Sequence, residues 1–394
     1  DIYGAHAFYV GRKSFGLTAG AKHLILAQLA EGLQFAHNYG KKVYLTLNII
    51  PHNADLEALS DYLNELADLD LDGIILSDPG ILKMVQKTLP AMEIHLSTQA
   101  NTTNFAAARF WYEQGVRRII LARELSLSEI TEIVRQSPDD LAIETFVHGA
   151  MCISYSGRCL LSNYMINRDA NRGNCAQSCR WKYYLMEEKR PGEYFPVEED
   201  NRGTYFFNSK DLCLIEHIPE LIQAGISAFK IEGRMKSAYY VANVVKTYRQ
   251  AINQYCAHPE SYHFQEQWME ELKKVSHRQF TTGFYFNQPD EQSQRYNTSA
   301  YIKTWEYAGL VREYHPENQQ AIVEQKNRIF VGDEIEVFGP TGDYFNQTIT
   351  HMWDEEGMPI SVAPHSQQKI SLFMKQPVKP WHIIRKRNTA AIPE

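Results

Sequence analysis

The sequence predicts an α/β protein: a (β/α)8 barrel of the TIM type, followed by a small β-barrel. Three observations support this prediction. Up to about residue 150, short apolar runs alternate with amphipathic stretches of helical length, which is typical of a parallel sheet covered on both faces. Polar residues follow nearly every one of those runs. From about residue 300 the helical rhythm stops, and short strand-like runs alternate with turns.

The strand predictions come from runs rich in β-branched and aromatic residues, and the helix predictions come from apolar residues at core-like spacing. Seven parallel strands are predicted, at residues 7–11, 43–49, 73–77, 93–98, 118–121, 143–148 and 228–232. Residues 205–207 are a candidate eighth strand. Helices are predicted at residues 23–39, 55–66 and 237–255.

Two architectures are compatible with this alternation, a closed barrel and an open doubly wound sheet. The barrel is favoured because its active sites collect at the carboxyl ends of many strands, whereas an open sheet concentrates them at one switch point. No glycine-rich dinucleotide fingerprint follows any predicted strand. Polar residues stand at the ends of most strands: Asn48, Ser77, Asp78, Ser97, Thr98, Gln99, Arg123, Glu124, His148, Glu232 and Arg234.

Two domains are predicted from this change of rhythm. Residues 1–299 form the barrel and include a cysteine-rich insertion at residues 150–182, called the cysteine segment below. Residues 300–394 form the small β-barrel, in which VGDEIEVFGPTGDY predicts a hairpin with GPTGD as its turn.

Composition limits the possible classes of protein. The 394 residues carry a net charge of −7, which argues against a protein that coats nucleic acid non-specifically through lysine and arginine. No run of 18 or more apolar residues and no secretory signal is recognised, so neither a membrane protein nor a secreted one is expected. Six cysteines are few for a disulfide-stapled domain, and a reducing, cytoplasmic location is predicted.

Four of the six cysteines lie close together in the sequence. Cys152, Cys159, Cys175 and Cys179 are separated by six, fifteen and three residues. A set of four thiolates is suited to structural zinc or to an iron–sulfur cluster, and the irregular spacing favours the cluster. Structural zinc, or thiols buried as small hydrophobic groups, are the alternatives.

Cations accompany these cysteines. The cysteine segment contains a single acid, Asp169, against five cations: Arg158, Arg168, Arg172, Arg180 and Lys182. A local excess of positive charge in an acidic protein predicts an anion site for a carboxylate, a phosphate or a nucleic-acid backbone. These cations would equally screen the negative charge of a thiolate cluster, and the two roles are compatible.

Candidate catalytic residues lie on the strands beside this segment. Glu144 and His148, four residues apart on one strand, are expected to face the same side and to do acid–base chemistry. The stretch KIEGRMKS ends an apolar strand and supplies Lys230 and Glu232 as further catalytic candidates. Interior polar residues with satisfied hydrogen bonds would show the same pattern. The candidates for substrate binding are Arg158, Arg172, Arg234, Lys236 and Gln99.

The stretches ETFVHGAMCISYSGRCLLSNY and RDANRGNCAQSCRW resemble the signature of the collagenase-like peptidase family U32, and within it the branch of prephenate-dependent tRNA hydroxylation proteins. NSKDL, KIEGRMKS, HLSTQANTTN and VYLTLNIIPHN also resemble that branch, so the likeness covers nearly the whole chain. The family usually opens with a further strand of the ELLAPAG type, so the first strand of the barrel is expected to be missing here. The branch also has an arginine at the position of Thr18.

The resemblance implies a (β/α)8 barrel carrying a 4Fe–4S cluster whose ligands map onto Cys152, Cys159, Cys175 and Cys179. It implies oxygen-independent hydroxylation of a tRNA wobble uridine to 5-hydroxyuridine, with prephenate as the hydroxyl source. The implied partners are tRNA, the small anion prephenate and a paralogous subunit. Two alternatives remain open: a peptidase, which the family label suggests but which lacks an HExxH or GxSxG motif here, and an RNA-binding module whose metal is structural.

Overall fold

The structure is a computed structural model that describes residues 2–11, 15, 25–152, 154–181, 184–185, 195–196, 210–286, 301–341 and 344–388. It divides into two compact units. The first unit comprises Asp1, His6–Met235 and Gln279–Ala300, and the second comprises Ile2–Ala5, Lys236–Arg278 and Tyr301–Glu394. This division assigns Lys236–Arg278 to the second unit, whereas the sequence-based division assigns those residues to the first domain.

The first unit alternates strands and helices. Its described strands are β1 Ala7–Gly11, β2 Lys42–Leu47, β3 Gly73–Leu76, β4 Ile94–Leu96, β5 Arg118–Ile120, β6 Ala142–Ala150, β7 Tyr184–Leu185, β8 Phe195–Pro196, β9 Asp211–Cys213, β10 Ala228–Ile231 and β11 Phe280–Thr281. Its described helices are α1 Leu26–Asn38, α2 Asn53–Leu66, α3 Pro79–Thr88, α4 Phe105–Glu113, α5 Leu127–Gln136, α6 Leu161–Ile166 and α7 Ile218–Gln223. In the described parts of the whole chain, no helix combines the length and the apolar character that crossing a membrane requires.

The main sheet of the first unit confirms the predicted parallel order. Strands β1 to β6 are neighbours in sequence order, and every adjacent pair is parallel. Strand β10 pairs with β6 in parallel, while β9 pairs antiparallel with the end of β6 and β11 lies beside β9. The seven predicted strands are therefore present, and the candidate at residues 205–207 lies outside the described residues.

Closure of this sheet into a barrel stays a prediction. Among the described strands, no ladder joins β1 to β10. Side chains do make contacts there. The hydroxyl of Tyr9 on β1 donates a hydrogen bond to the carbonyl of Ile231 on β10 at 2.9 Å, and the Lys230 ammonium on β10 lies 3.7 Å from the centroid of the Tyr9 ring. The described ladders establish a mixed sheet of nine strands with a parallel core.

Local sequence signals explain where several helices begin. The Asp78 carboxylate accepts a hydrogen bond from the backbone N–H of Ile81 at 2.9 Å, and Pro79 occupies the first turn of α3. Ser126 and Glu129 form a capping box at the start of α5. Helix α3 then buries one apolar face, formed by Ile81, Leu82 and Val85.

The second unit combines two helices with an antiparallel sheet. Helices α8 Ala238–Ala257 and α9 Glu266–Lys273 precede strands β12 Trp305–His315, β13 Gln320–Gln325, β14 Ile329–Phe330, β15 Glu334–Phe338, β16 Tyr344–Thr348, β17 Met352–Trp353, β18 Val362–Ala363, β19 Lys369–Phe373 and β20 Ile383–Arg387. Seven of these strands form one sheet in the order β16, β15, β20, β12, β13, β19, β17. The predicted hairpin is confirmed, since β15 and β16 pair antiparallel.

The apolar core of the second unit follows the period-two pattern of its strands. Val311, Val323 and Val337 are fully buried, and Ile335 and Ile370 are almost fully buried. Alternate residues on the same strands point away from this core, as expected for a sheet with one buried face. The described strands form an antiparallel β domain, and its closure into a barrel stays a prediction.

A buried ionic cluster holds the two helices of the second unit on its sheet. The guanidinium of Arg385 is fully buried and donates hydrogen bonds to the carboxylates of Glu271 on α9 and Glu336 on β15. It also donates to the side-chain oxygen of Asn243 on α8 at 3.1 Å. The Lys274 ammonium lies 2.7 Å from Glu271 and 3.2 Å from Glu336. Two carboxylates are therefore neutralised by two cations in the interior.

Replacing Arg385 by methionine leaves Glu271 and Glu336 buried and, among the described residues, in ion pairs with Lys274 alone. We expect a loss of about 3–5 kcal/mol in the free energy of unfolding of the second unit, since an uncompensated buried charge is costly. Urea denaturation followed by tryptophan fluorescence measures this loss. Arg135→Met is the control, because the Arg135 side chain is 68% exposed and its ion pair contributes at most about 1 kcal/mol. Equal losses in the two variants would contradict the role of the cluster.

Candidate functional site

A buried ionic network lies on the sheet of the first unit. Glu144 on β6 accepts a hydrogen bond from the Lys230 ammonium on β10 at 2.9 Å and one from the Arg118 guanidinium on β5 at 3.3 Å. The ladders explain this convergence, because Glu144 is the register partner of Ile120 on one side and of Ala228 on the other. Three strands therefore direct one anion and two cations to the same place.

The electrostatics of this network keep Glu144 ionised. Burial raises the pKa of Glu144. The charge and the hydrogen bond of Lys230, together with the charge of Arg118, lower it by more, so the net pKa lies below the ordinary value of 4.5. The ammonium of Lys230 also lies 3.7 Å from the ring centroid of Tyr9. A carboxylate with a depressed pKa is a weak proton acceptor at neutral pH, so this geometry suits positioning better than acid–base work.

A buried histidine that is not among the predicted site residues lies near the same strands. His95 on β4 is fully buried, its Nε2 lies 2.6 Å from the Glu93 carboxylate, and its ring packs edge-on against Tyr44 at 4.4 Å between centroids. Burial lowers its pKa, and the charge of Arg118 adds to that effect, against the opposing influence of Glu93. His95 is therefore neutral at pH 7.

Three polar side chains meet at the carboxyl ends of β2 and β4. The amide of Asn48 donates to the Ser97 hydroxyl and to the Gln99 carbonyl oxygen, both at 3.1 Å, and Ser97 also bonds to Gln99. All three are buried. Gly157 of the cysteine segment, with φ +75°, packs so closely here that an added Cβ would lie 3.0 Å from the Gln99 side chain. Gln99 therefore lies beneath the cysteine segment, as a substrate-site residue would.

Arg123 attaches the cysteine segment to the sheet. It follows β5, and its guanidinium donates to the Ala150 carbonyl at 2.8 Å, to the Ser156 hydroxyl at 2.9 Å and to the Cys152 sulfur at 3.2 Å. Burial lowers the pKa of Arg123, but its interactions with Cys152 and with nearby acidic residues raise it by more. The net pKa of Arg123 is therefore raised. Arg123 is one of the strand-end polar residues but is not among the predicted site residues. Its signal was a charge directly after an apolar strand.

The four clustered cysteines lie where the sequence analysis expected them, on loops and short turns after β6. Cys152 and Cys175 are exposed, Cys159 and Cys179 are half-buried, and none is in a disulfide bond. Across the described residues, no group of three histidine, cysteine or acidic side chains is assembled as a metal site. Four cysteines are a donor set that chemically fits a thiolate-ligated cluster. The cluster stays a prediction.

The cations of the cysteine segment have different surroundings. Arg172 forms a two-pronged ion pair with Asp55 on α2, at 2.8 and 2.6 Å, and the hydrogen bond from Arg172 lowers the pKa of Asp55. Arg158 is exposed, and its Nε donates to the Asn101 side-chain oxygen at 2.9 Å. Arg168 donates to Asn174 at 3.0 Å. Arg172 therefore anchors the segment, while Arg158 faces solvent. The side chains of Arg180 and Lys182 lie outside the described part of the chain.

The remaining predicted site residues are distributed over both units. Glu232 accepts a hydrogen bond from the backbone N–H of Arg234 at 3.0 Å, and its carboxylate lies 3.5 Å from the Tyr9 hydroxyl. His148 is buried, with its ring 5.6 Å from that of Phe280. Lys236 belongs to the second unit, where its ammonium donates to the Ser276 carbonyl at 3.1 Å. The structure thus brings Glu144 together with Lys230, and Glu232 together with Arg234.

Comparison with known proteins gives the same family as the cysteine signature. The sequence model of peptidase family U32 matches residues 2–295, and the model of the peptidase family U32 C-terminal domain matches residues 303–385. The chain belongs to peptidase family U32. The two matches together cover most of both units.

Individual members of the family align over most of this chain. It is 42% identical to "tRNA hydroxylation protein P1" of Bacillus subtilis (strain 168), covering 98% of this chain and 90% of that protein. It is 36% identical to "tRNA hydroxylation protein P" of Escherichia coli (strain K12), covering 98% and 93%. A third relative, "23S rRNA 5-hydroxycytidine C2501 synthase" of Escherichia coli (strain K12), is 37% identical over 64% of this chain and 37% of that protein.

Replacing Lys230 by methionine removes the ammonium closest to Glu144. We expect a loss of about 3 kcal/mol in the free energy of unfolding at pH 7, because one cation of a buried group is removed. The pKa of Glu144 is depressed in the folded state, so its stabilising contribution is present above the ordinary pKa of 4.5 and is lost as pH falls through the folded value. The difference between wild type and variant should therefore shrink below about pH 4.5.

Urea denaturation at a series of pH values measures this difference. Lys87→Met provides the control, since Lys87 is exposed in the last turn of α3. If the Lys230→Met loss were the same at every pH, the ammonium would not be stabilising the carboxylate of Glu144.

Proposed function

We propose that this chain is a cytoplasmic RNA-modifying enzyme that hydroxylates a tRNA wobble uridine to 5-hydroxyuridine without molecular oxygen, with prephenate as the hydroxyl source. The observation that carries the proposal is the near full-length similarity to two proteins named for tRNA hydroxylation. A more distant relative is named for making 5-hydroxycytidine in ribosomal RNA. Hydroxylation of RNA is thus common to the names of relatives with different RNA substrates.

The surface of the cysteine segment supports an RNA substrate. Tyr155, Tyr164 and Trp181 are 44%, 89% and 43% exposed, so Tyr164 in particular presents nearly its whole side chain to solvent. Arg158 and Arg168 lie between them in the sequence. Aromatic rings that stack on unpaired bases, together with cations that meet phosphates, are the usual means of binding single-stranded RNA. A wobble uridine lies in such an unpaired loop.

We further propose that Cys152, Cys159, Cys175 and Cys179 hold a 4Fe–4S cluster. Such a cluster supplies one-electron redox chemistry when bound. The residues of the chain itself have other tasks. Arg123 holds Cys152 and Ser156 in place through its hydrogen bonds, and so orients the start of the segment.

We assign substrate binding to two exposed arginines and to the buried Gln99 beneath the cysteine segment. Arg158 and Arg234 are exposed and suit the anionic groups of prephenate or tRNA. Gln99, buried with Asn48 and Ser97, offers a carboxamide that is suited to orienting a polar ring edge. Glu232 accepts a hydrogen bond from the backbone N–H of Arg234. We propose that its carboxylate holds a proton or a hydroxyl group of the substrate.

The cluster is tested in a strain that lacks this gene and is complemented with Cys152→Ala. We expect wobble 5-hydroxyuridine to disappear from the tRNA, as measured by nucleoside mass spectrometry, because a thiolate ligand is lost. Cys256→Ala is the matched control, since Cys256 is an exposed cysteine of α8 outside the segment. The wild-type protein purified without oxygen should contain about four iron atoms per chain. Normal 5-hydroxyuridine with Cys152→Ala would contradict an essential cluster.

The RNA surface is tested with Tyr164→Ala. We expect binding of a tRNA anticodon stem-loop to weaken by about 1–3 kcal/mol in fluorescence anisotropy, because a stacking platform is removed. Tyr164→Phe keeps the ring and should bind as the wild type does. Tyr39→Ala removes another half-exposed tyrosine, at the end of α1, and should have no effect. Unchanged binding by Tyr164→Ala would remove this residue from the RNA surface.

The family name favours one second candidate, a collagenase-like peptidase. Cleavage of gelatin by the purified protein, without any change of tRNA nucleosides on gene deletion, would support that activity. A binding module with a structural metal predicts tight RNA binding together with unchanged 5-hydroxyuridine. Co-purification with a second family member from the native host tests the proposed paralogous subunit.

A further inference from the structure

The second unit contains a polar cleft that the proposed function does not use. It has a volume of about 240 Å³ and is lined by residues of α8, α9 and β16 and by the loop before α9. Lys246, Gln250 and Gln254 of α8 all line it. Their spacing of four residues places them in one row along the helix. The cleft therefore has a cation at one position and carboxamides along the same row.

Lys246 is the unusual member of this row. It is 97% buried, since only 3% of its surface is exposed, and its ammonium lies 4.4 Å from the ring centroid of Phe338. Within the described residues, this ammonium has neither a hydrogen-bond acceptor nor a carboxylate within ion-pair distance. The ammonium borders the cleft, where a ligand can supply the acceptor that the described residues do not.

The charges around Lys246 do not neutralise its ammonium. The carboxylates that face it, Glu271 on α9 and Glu336 on β15, are already bonded to Arg385 on β20 and to Lys274, which directly follows α9. Three cations therefore share two carboxylates, and Lys246 is the excess charge. The pKa of Lys246 is lowered to about 8. Burial is the largest cause, the charges of Arg385 and Lys274 also lower it, and the charges of Glu271 and Glu336 oppose this effect. An added anion would restore neutrality.

The rest of the cleft is suited to a polar organic group. The amide of Gln265 donates to the Gln254 oxygen at 2.7 Å, and the amide of Gln267 donates to the Tyr344 hydroxyl at 3.2 Å. Each carboxamide has two N–H donors and an acceptor, so these bonds leave further capacity toward the cleft. Trp268 adds an aromatic wall. The lining can thus match both donors and acceptors on a ligand.

We propose that this cleft binds a small organic anion, with the phosphate or carboxylate of the ligand on the Lys246 ammonium and its polar body against the glutamine row. This site is separate from the proposed hydroxylation chemistry and does not depend on it. A nucleotide meets the description, either as a free metabolite or as part of an RNA chain, and a small carboxylate meets it as well.

Isothermal titration calorimetry on the full chain tests the site, with uridine monophosphate, inorganic phosphate, citrate and uncharged uridine as probes. We expect at least one of the anionic organic probes to bind more tightly than uridine and than inorganic phosphate. Lys246→Met should weaken that probe at least roughly tenfold, the contribution of a charge-assisted hydrogen bond. Lys273→Met is the matched control on α9, where Lys273 pairs with Glu270 at the surface, and should bind as the wild type does.

The pH dependence provides an independent readout. The free ammonium has a pKa of about 8, so binding of an anion should take up a proton above that pH. The affinity should fall by up to tenfold per pH unit above about pH 8 in the wild type and should not fall in Lys246→Met. Gln250→Glu is a second variant for the case in which Lys246→Met does not fold. Its carboxylate, one turn from Lys246, should pair with the ammonium and exclude the probe.

Two results would overturn the proposal: no binding of any anionic probe at millimolar concentration, or equal binding by wild type and both cleft variants. Competition between the bound probe and a tRNA stem-loop identifies an RNA phosphate as the natural ligand, and binding without competition identifies a free metabolite. Both of these outcomes support the site.

Discussion

The geometry of the candidate active site depends on the guanidinium of Arg123. It is buried at the carboxyl end of β5 and reaches the last residue of β6, a serine of the cysteine segment and the first clustered cysteine. Its five N–H donors in a fixed plane allow one side chain to hold several acceptors at once. The contact of Gly157 with Gln99 and the ion pair of Arg172 with Asp55 secure the segment at two further points. Together these contacts place the segment over the strand ends that bear Asn48 and Gln99.

The two units place charge in their interiors in different ways. In the first unit, Glu144 is shared by Lys230 and Arg118, so the carboxylate is stabilised in its ionised form and the sheet positions are fixed. In the second unit, Arg385 and Lys274 neutralise two carboxylates and leave the ammonium of Lys246 beside a cleft. A neutralised network is suited to holding strands together, whereas an excess charge next to open space is suited to binding. This difference separates the structural ions from the candidate ligand site.

Much of the fold could be predicted because periodicity is a local property. The apolar runs give the parallel strands, and signals such as Asp78 and Ser126 give the helix starts. Strand β4 is shorter than predicted, because the polar stretch after Leu96 turns into a short helical turn at Thr98–Ala100. The second unit also crosses the predicted domain boundary, since Asn243 of α8 and Glu271 of α9 both bond to Arg385 of β20. These contacts join residues 142 and 114 positions apart, which no local pattern reports.

The sequence by itself determined the parallel strand order, the antiparallel second part, the family and the identity of the clustered cysteines. Each of these depends on spacing along the chain or on a contiguous signature. Only the tertiary structure decided which charges are engaged: that Arg172 anchors the segment, that Glu144 is held by two cations, that Arg123 is a central residue of the site, and that the Lys246 ammonium has no acceptor among the residues the structure describes. The physical reason is that a charge is stabilised by the groups around it in space. Those groups come from strands and helices whose register is set only when the sheet forms.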